Sequence, residues 1–241
     1  MKRHIPNILT LLNLFSGLVA ILFLFQQNWK MAALMVSLGI FFDFFDGLAA
    51  RSLNVSSKLG LELDSLADMV TSGVVPAFVL FLLIQQATGV SVMNDFHFDL
   101  KHILPFTGFF VALGSAYRLA KFNIDERQTA SFIGLPTPAN ALFIMALPLI
   151  IYEQDFPCLS EVLFNPYTLV IISLASTYLL NAEIPLFSLK IKGAFHWQDN
   201  LEKIVLIIIS ILLLIAFKYL AIPIIIMIYV FLSIVTNKLK K

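Results

Sequence analysis

The chain has 241 residues, 59% hydrophobic and only 13% charged, with a formal net charge of +1. So little polar surface excludes a soluble domain of this length and points to a polytopic membrane protein. The near-neutral balance gives no general attraction to nucleic acid, so no nucleic-acid partner is expected, and a single cysteine, Cys158, excludes an intrachain disulfide framework.

A bilayer core of about 30 Å takes roughly 20 helical residues. On that measure the apolar runs predict an all-α bundle of about eight transmembrane helices, near residues 5–26, 31–52, 65–86, 103–122, 137–152, 166–182, 203–217 and 219–236. The first run follows Lys2 and Arg3 as a signal peptide would. However, Asn7, Thr10 and Asn13 interrupt it and no small-x-small site follows, so it is expected to remain as the first helix. These three polar residues recur every third position and form a stripe on the helix's cytoplasmic end. Capping and interhelical hydrogen bonds would explain the stripe, as would lining a polar pocket. The last stretch, 204–234, is almost continuously apolar, is interrupted at Ser210, Lys218 and Pro223 among others, and reads as a tight hairpin turning near Lys218.

Orientation follows from charge. One side collects Lys2, Arg3, Arg51, Lys58, Arg118, Lys121, Arg127, Lys190, Lys192, Lys203, Lys238, Lys240 and Lys241. The other has only Lys30, Lys101 and Lys218, beside Asp95, Asp99, Glu153, Asp155 and Glu161. The positive-inside rule then puts both termini in the cytoplasm. His97 and His102 fall on the outer side and read as surface residues, and no P-loop, zinc spacing or internal repeat occurs.

The most informative stretch is Asp43-Phe44-Phe45-Asp46-Gly47-Leu48-Ala49-Ala50-Arg51, followed by Gly60, Asp64 and Asp68. Asp43 and Asp46 share one helix face, with Gly47 and Ala50 beside them, and Asp64 and Asp68 share a face of the next helix. Two adjacent antiparallel helices can aim these carboxylates into one space, where mutual repulsion calls for cations. Mg²⁺ or Mn²⁺ suits carboxylate and phosphate oxygens. The residues from Met31 to Phe42 cover about 18 Å at 1.5 Å each, which sets Asp43 just beneath the cytoplasmic headgroups. Arg51 is available to phosphate.

The pattern Asp-x-x-Asp-Gly-x-x-Ala-Arg-x8-Gly-x-x-x-Asp-x-x-x-Asp resembles the signature of the CDP-alcohol phosphotransferases, with Asp43, Asp46, Gly47, Ala50, Arg51, Gly60, Asp64 and Asp68 on the signature positions. The resemblance implies a metal site of Asp43, Asp46, Asp64 and Asp68 holding two divalent ions on the pyrophosphate of a CDP-linked lipid, with Asp68 as base for the incoming hydroxyl. It further implies CDP-lipid contacts from Asn7, Thr10, Asn13, Gly47, Ala50, Arg51, Ser57 and Gly60. Further implications are a single membrane domain over 1–241, a catalytic core over about 5–182 followed by a loop and hairpin, a homodimer among membrane lipids, and a multi-pass place in the cell (inner) membrane with the active site facing the cytoplasm.

Two further segments bear on the acceptor. In Tyr117-Arg118-Leu119-Ala120-Lys121-Phe122-Asn123, Arg118 and Lys121 share a face. They serve either as snorkelling anchors or as partners for an anionic acceptor such as an amino-acid carboxylate. The segment Phe132-Ile133-Gly134-Leu135-Pro136-Thr137-Pro138 is a rigid entry to the fifth span. With Leu63 to Asp68, these segments resemble the phosphatidylserine synthase branch of the family, in which Arg118, Lys121 and Asn123 would hold the acceptor. Lys121 stands where that branch more often has arginine, and lysine lacks the bidentate fork. The implied reaction joins CDP-diacylglycerol and L-serine to give phosphatidylserine and CMP. A phosphatidylglycerophosphate or phosphatidylinositol-phosphate synthase is the alternative within the family, and a cation-coupled transporter or a membrane scaffold lies outside it. The transporter reading expects midplane sites in repeated halves, which this chain lacks.

Overall fold

The computed structural model describes residues 4–92, 97–125, 132–154, 156–186 and 197–239. The charges at Lys2, Arg3, Asp95, Arg127, Asp155, Lys190, Lys192, Lys240 and Lys241, and His196, lie outside them. In chain order the elements are α1 (Ile5–Phe25), α2 (Trp29–Ser52), α3 (Lys58–Asp68), a π-helical turn (Met69–Val74) and α4 (Val75–Thr88). Then come α5 (Leu100–Ile103), a 3₁₀ stretch (Leu104–Phe109), α6 (Phe110–Ile124), β1 (Phe132–Ile133), α7 (Thr137–Glu153), α8 (Pro157–Leu163) and α9 (Pro166–Asn181). The order closes with β2 (Pro185–Leu186), α10 (Trp197–Phe217), a 3₁₀ turn (Lys218–Leu220) and α11 (Ala221–Leu239).

Among the described residues, five helical segments are long and apolar enough to cross a membrane: 5–25, 29–52, 58–88, 100–124 and 205–235. A sixth arises if the pair Pro157–Leu163 and Pro166–Asn181, bent by 68°, counts as one span. Helices thus occupy all the predicted places, and five to six segments reach spanning length, which does not confirm the count of about eight. Two differences explain the gap. Helix α7 stops at 17 residues, short of a full crossing. The 205–235 segment is interrupted at Lys218, which takes a left-handed φ of 47°, as the predicted turn requires. Gln154 clamps that turn, with Nε2 donating to the Phe217 carbonyl at 2.8 Å and Oε1 accepting from Leu220 N at 2.9 Å.

The segment 58–88 is the centre of the bundle. In its apolar window 72% of residues are buried, against 22% for α2 and 33% for α1. Val75, Val79, Leu80, Leu83 and Ile84 of α4 meet Ala20, Leu24, Val36, Val111, Ile144 and Leu169 in one core. The outer helices instead turn large apolar side chains outward, such as Phe25 (71% exposed) and Ile215 (76% exposed), as a bilayer solvent allows.

Helices α1 and α2 form an antiparallel hairpin closed by Gln27, at a φ of 54°, and by Asn28, whose side chain caps α2 at Met31 N. The only described strands are two residues each, pairing Phe132 with Leu186 and Ile133 with Pro185. That pair fastens the entry to α7 onto the chain after α9. Gly134 continues it with φ 77°, donating to the Ile184 carbonyl, and a Cβ there would strike the Leu180 carbonyl oxygen. The left-handed backbone and the close approach both require glycine.

Candidate active site

Helices α2 and α3 deliver the carboxylates and α1 orients them. The chain leaves α2 through Asn54, with φ 52°, and re-enters helix at Ser57, whose Oγ accepts from Gly60 N at 3.0 Å. This N-cap starts α3, which packs against α1. Asp43, Asp64 and Asp68 then come together, with one carboxylate oxygen from each lying within 4.8 Å of the others. Asp68 is buried and the other two are half-buried, and among the described residues Asp64 Oδ1 has no hydrogen-bond partner. An all-oxygen donor set with an unsatisfied acceptor fits a hard divalent cation.

Asp46 belongs to the same region but not to that trio. Its Oδ2 accepts a 2.5 Å hydrogen bond from Thr10 Oγ1, which links α1 to α2. Asn13 reaches the other end of the cluster, its Nδ2 donating to Asp68 Oδ1 at 3.1 Å. The polar stripe on α1 is therefore used twice for carboxylates, at Thr10 and at Asn13.

A cavity of about 170 Å³ adjoins the cluster, lined by Asn7, Thr10, Asp46, Gly47, Ala50, Ser56, Ser57, Gly60 and Asp64, among others. It gathers six of the eight residues expected to contact a nucleotide-linked lipid. Asn13 and Arg51 are the exceptions. Asn13 is fully buried beneath the cluster, and Arg51 sits exposed on the last turn of α2, above Gly47. Gly60 is the narrow point, since a Cβ there would meet Ser57 Oγ at 3.2 Å and Asn7 Oδ1 at 3.4 Å.

On α6 the expected acceptor residues separate. Arg118 is 6% exposed, within electrostatic reach of Asp68, and among the described residues its Nε has no partner. Lys121 instead faces Glu183, 3.6 Å away. Asn123 ties α6 to α3, donating to Ser65 Oγ at 3.0 Å and approaching Glu62 Oε2 at 3.4 Å. The shared face drawn for Arg118 and Lys121 is split because Glu183, after α9, offers Lys121 a partner outside the bundle.

Thr71 went unrecognised in the sequence. It is fully buried on the π-helical turn and its Oγ1 donates to the Asn13 carbonyl at 3.0 Å. Its position three residues beyond Asp68, in a chain with glycines at 17 and 39 to receive it, is the available signal.

Comparison with known proteins bears on this geometry. A family model described as CDP-alcohol phosphatidyltransferase matches residues 3–179. The chain is 33% identical over 204 residues, 83% of its own length and 97% of the relative's, to a Bacillus subtilis protein named CDP-diacylglycerol–serine O-phosphatidyltransferase. Proteins of the same name from Helicobacter pylori and Saccharomyces cerevisiae are 32% and 34% identical over 153 and 160 residues, of which the chain spans 60% and 53% of the relatives' lengths.

Proposed function

The chain belongs to the CDP-alcohol phosphatidyltransferase family, and from that premise we propose that it transfers the phosphatidyl group of CDP-diacylglycerol to the hydroxyl of L-serine, giving phosphatidylserine and CMP. The observation that carries the reading is the convergence of Asp43, Asp64 and Asp68 beside a cavity lined by Asp46, Gly47 and Gly60. The names of the relatives favour serine over glycerol 3-phosphate or inositol phosphate as acceptor.

Asp43, Asp46, Asp64 and Asp68 would hold two divalent ions, Mg²⁺ or Mn²⁺, which when bound neutralise the pyrophosphate and stabilise CMP as the leaving group. The protein's own groups do the rest. The cavity between α1, α2 and α3 receives the cytidine diphosphate through Asn7, Ala50, Ser57 and Gly60, and Arg51 approaches its phosphates from the rim. Asp68, held by Asn13, accepts the proton of the serine hydroxyl as that oxygen bonds to the phosphorus bearing diacylglycerol. The bond from that phosphorus to the bridging oxygen breaks, and CMP departs with the electron pair.

Arg118, buried and with an Nε that has no partner among the described residues, supports an anionic acceptor group near Asp68. Lys121 and Asn123 act further out, through Glu183 and Ser65. We place the active site at the cytoplasmic face of the cell (inner) membrane and expect a homodimer.

The test is CMP release by purified protein given CDP-diacylglycerol and Mn²⁺, across serine, glycerol 3-phosphate, inositol and inositol phosphate. Release with serine alone is expected. Release with another acceptor and not serine removes the serine assignment and keeps the family reaction, and no release with any of the four removes both.

A further inference from the structure

A groove of about 370 Å³ lies between α7, α9 and α11, and shares no lining residue with the cavity beside the carboxylates. Its walls are apolar, with Phe143, Ile172, Leu179 and Val230 among them, and Asn140 and Ser176 are the exceptions. Asn140 is 1% exposed, and among the described residues neither atom of its amide has a hydrogen-bond partner. Thr137, one turn earlier on α7, is equally buried and its hydroxyl is also unpartnered. A primary amide in such surroundings carries a large desolvation penalty unless something supplies its partners.

The groove opens sideways. Met227 and Phe231 line it while remaining 65% and 66% exposed on the apolar outer face of α11. Whatever enters comes from the bilayer rather than from water. The depth is also informative. Asn140 lies in the first turn of α7, just beyond the Gly134–Pro136 entry, on the side assigned to the cytoplasm. Ester carbonyls of glycerophospholipids sit immediately below the headgroups, at the same level, and their acyl chains run on towards the midplane. A helix of a second copy is about 10 Å across and would lie over the groove, reaching the amide with one side chain at most.

We propose that this groove is a lipid site distinct from that of the reacting lipid. One acyl chain of a cytoplasmic-leaflet diacyl glycerophospholipid lies between α9 and α11, and its ester carbonyl accepts a hydrogen bond from Asn140 Nδ2. The apolar walls select for a chain, and the amide at the polar end fixes how deep it sits.

The experiment uses the full chain in nanodiscs of phosphatidylcholine containing a phosphatidylcholine probe with a mid-chain diazirine. Photolysis and peptide mapping should place label on α9 and α11 around Met227 and Phe231. Ala175→Phe, which fills the groove from its exposed rim, and Asn140→Leu, which removes the polar anchor, should each lower that labelling about fivefold or more, a loss of roughly 1 kcal/mol. Size-exclusion elution and circular dichroism check that both variants remain folded, and either one suffices. CDP-diacylglycerol should lower the labelling no more than the same amount of unlabelled phosphatidylglycerol does. Displacement by CDP-diacylglycerol well beyond that of phosphatidylglycerol would assign the groove to the reacting lipid's own tail and overturn the proposal. So would unchanged labelling in a folded variant, or a shift from dimer to monomer in Ala175→Phe, which would make the groove an interface between copies.

Discussion

Asp68 depends on a neighbour that lies 55 residues earlier in the chain. Asn13 Nδ2 donates to its Oδ1, and Thr71 in turn holds the Asn13 backbone, so the carboxylate is fixed by a relay from α1 and the π-helical turn. A hydrogen bond to a charged group contributes about 1.5–3 kcal/mol, and each 1.36 kcal/mol is tenfold in rate. Asn13→Ala is therefore expected to slow CMP release roughly tenfold to a hundredfold while binding of the CDP-lipid, measured by calorimetry, stays within about threefold of the parent. Equal losses in rate and affinity would instead mark Asn13 as a lipid contact. Removing the base itself is more severe: Asp68→Asn should cost on the order of 10²–10⁴ in turnover. An Asp68→Asn protein with near-parental CMP release would take the proton-accepting role away from this residue. Thr10 and Asp46 form the parallel case on the other side of the cluster. Thr10→Val keeps the shape and removes the donor, so it leaves a buried Asp46 oxygen unpaired at a cost of about 1–3 kcal/mol, which should appear as reduced activity with little change in fold.

At the scale of elements, three backbones crowd around Thr71. A Cβ on Gly39 would meet Thr71 Cγ2 at 2.7 Å and Asn13 Oδ1 at 2.8 Å, and one on Gly17 would overlap Thr71 Oγ1. The π-helical turn makes this approach possible, since its wider winding, directly after Asp68, points Thr71, Ser72 and Gly73 inward together. Gly39→Ala should thus destabilise by about 1–3 kcal/mol, because backbone and buried side chains must move. It should also lower activity further than stability, because Asn13 is one of the atoms displaced. A denaturation midpoint and a CMP-release rate on the same preparation separate the two effects. Equal activity per folded molecule would show that Asn13 tolerates the shift. Much of this was legible in the sequence. Helix positions followed from apolar runs, and the i, i+3 and i, i+4 spacing of the aspartates predicted their common faces, since a helix fixes its own periodicity. The π-helical turn was not legible, because nothing in Met69–Val74 announces a change of winding that packing imposes. The partners of Lys121 and Asn123 were hidden for a related reason: Glu183 and Ser65 are remote in sequence, and no periodicity joins them. The count of about eight spans is not confirmed where length decides, at α7, and along 205–235, where the two predicted spans form one apolar segment turning at Lys218.

Across the whole molecule, folding assembles three carboxylates from two helices against a single buried cation, Arg118, among the described residues nearby. Like charges brought this close in an apolar bundle oppose the folded state, and each ion that binds only the assembled cluster relieves that opposition. Linkage gives the size of the effect: a ligand at 100 times its dissociation constant stabilises the folded state by about 2.7 kcal/mol. The purified protein should therefore melt several degrees higher in saturating Mg²⁺ or Mn²⁺ than in chelator, and Asp64→Asn should lose most of that increment because it removes an acceptor that has no partner among the described residues. The variant's chelator midpoint is informative as well. With one negative charge fewer, Asp64→Asn should melt no lower than the parent in chelator, whereas a purely structural role for Asp64 would lower it. A parent midpoint indifferent to divalent ions would leave the cluster as ordinary helix-end carboxylates and would favour the scaffold reading over the enzyme. A response to ions that survives Asp64→Asn would move the ions to other ligands.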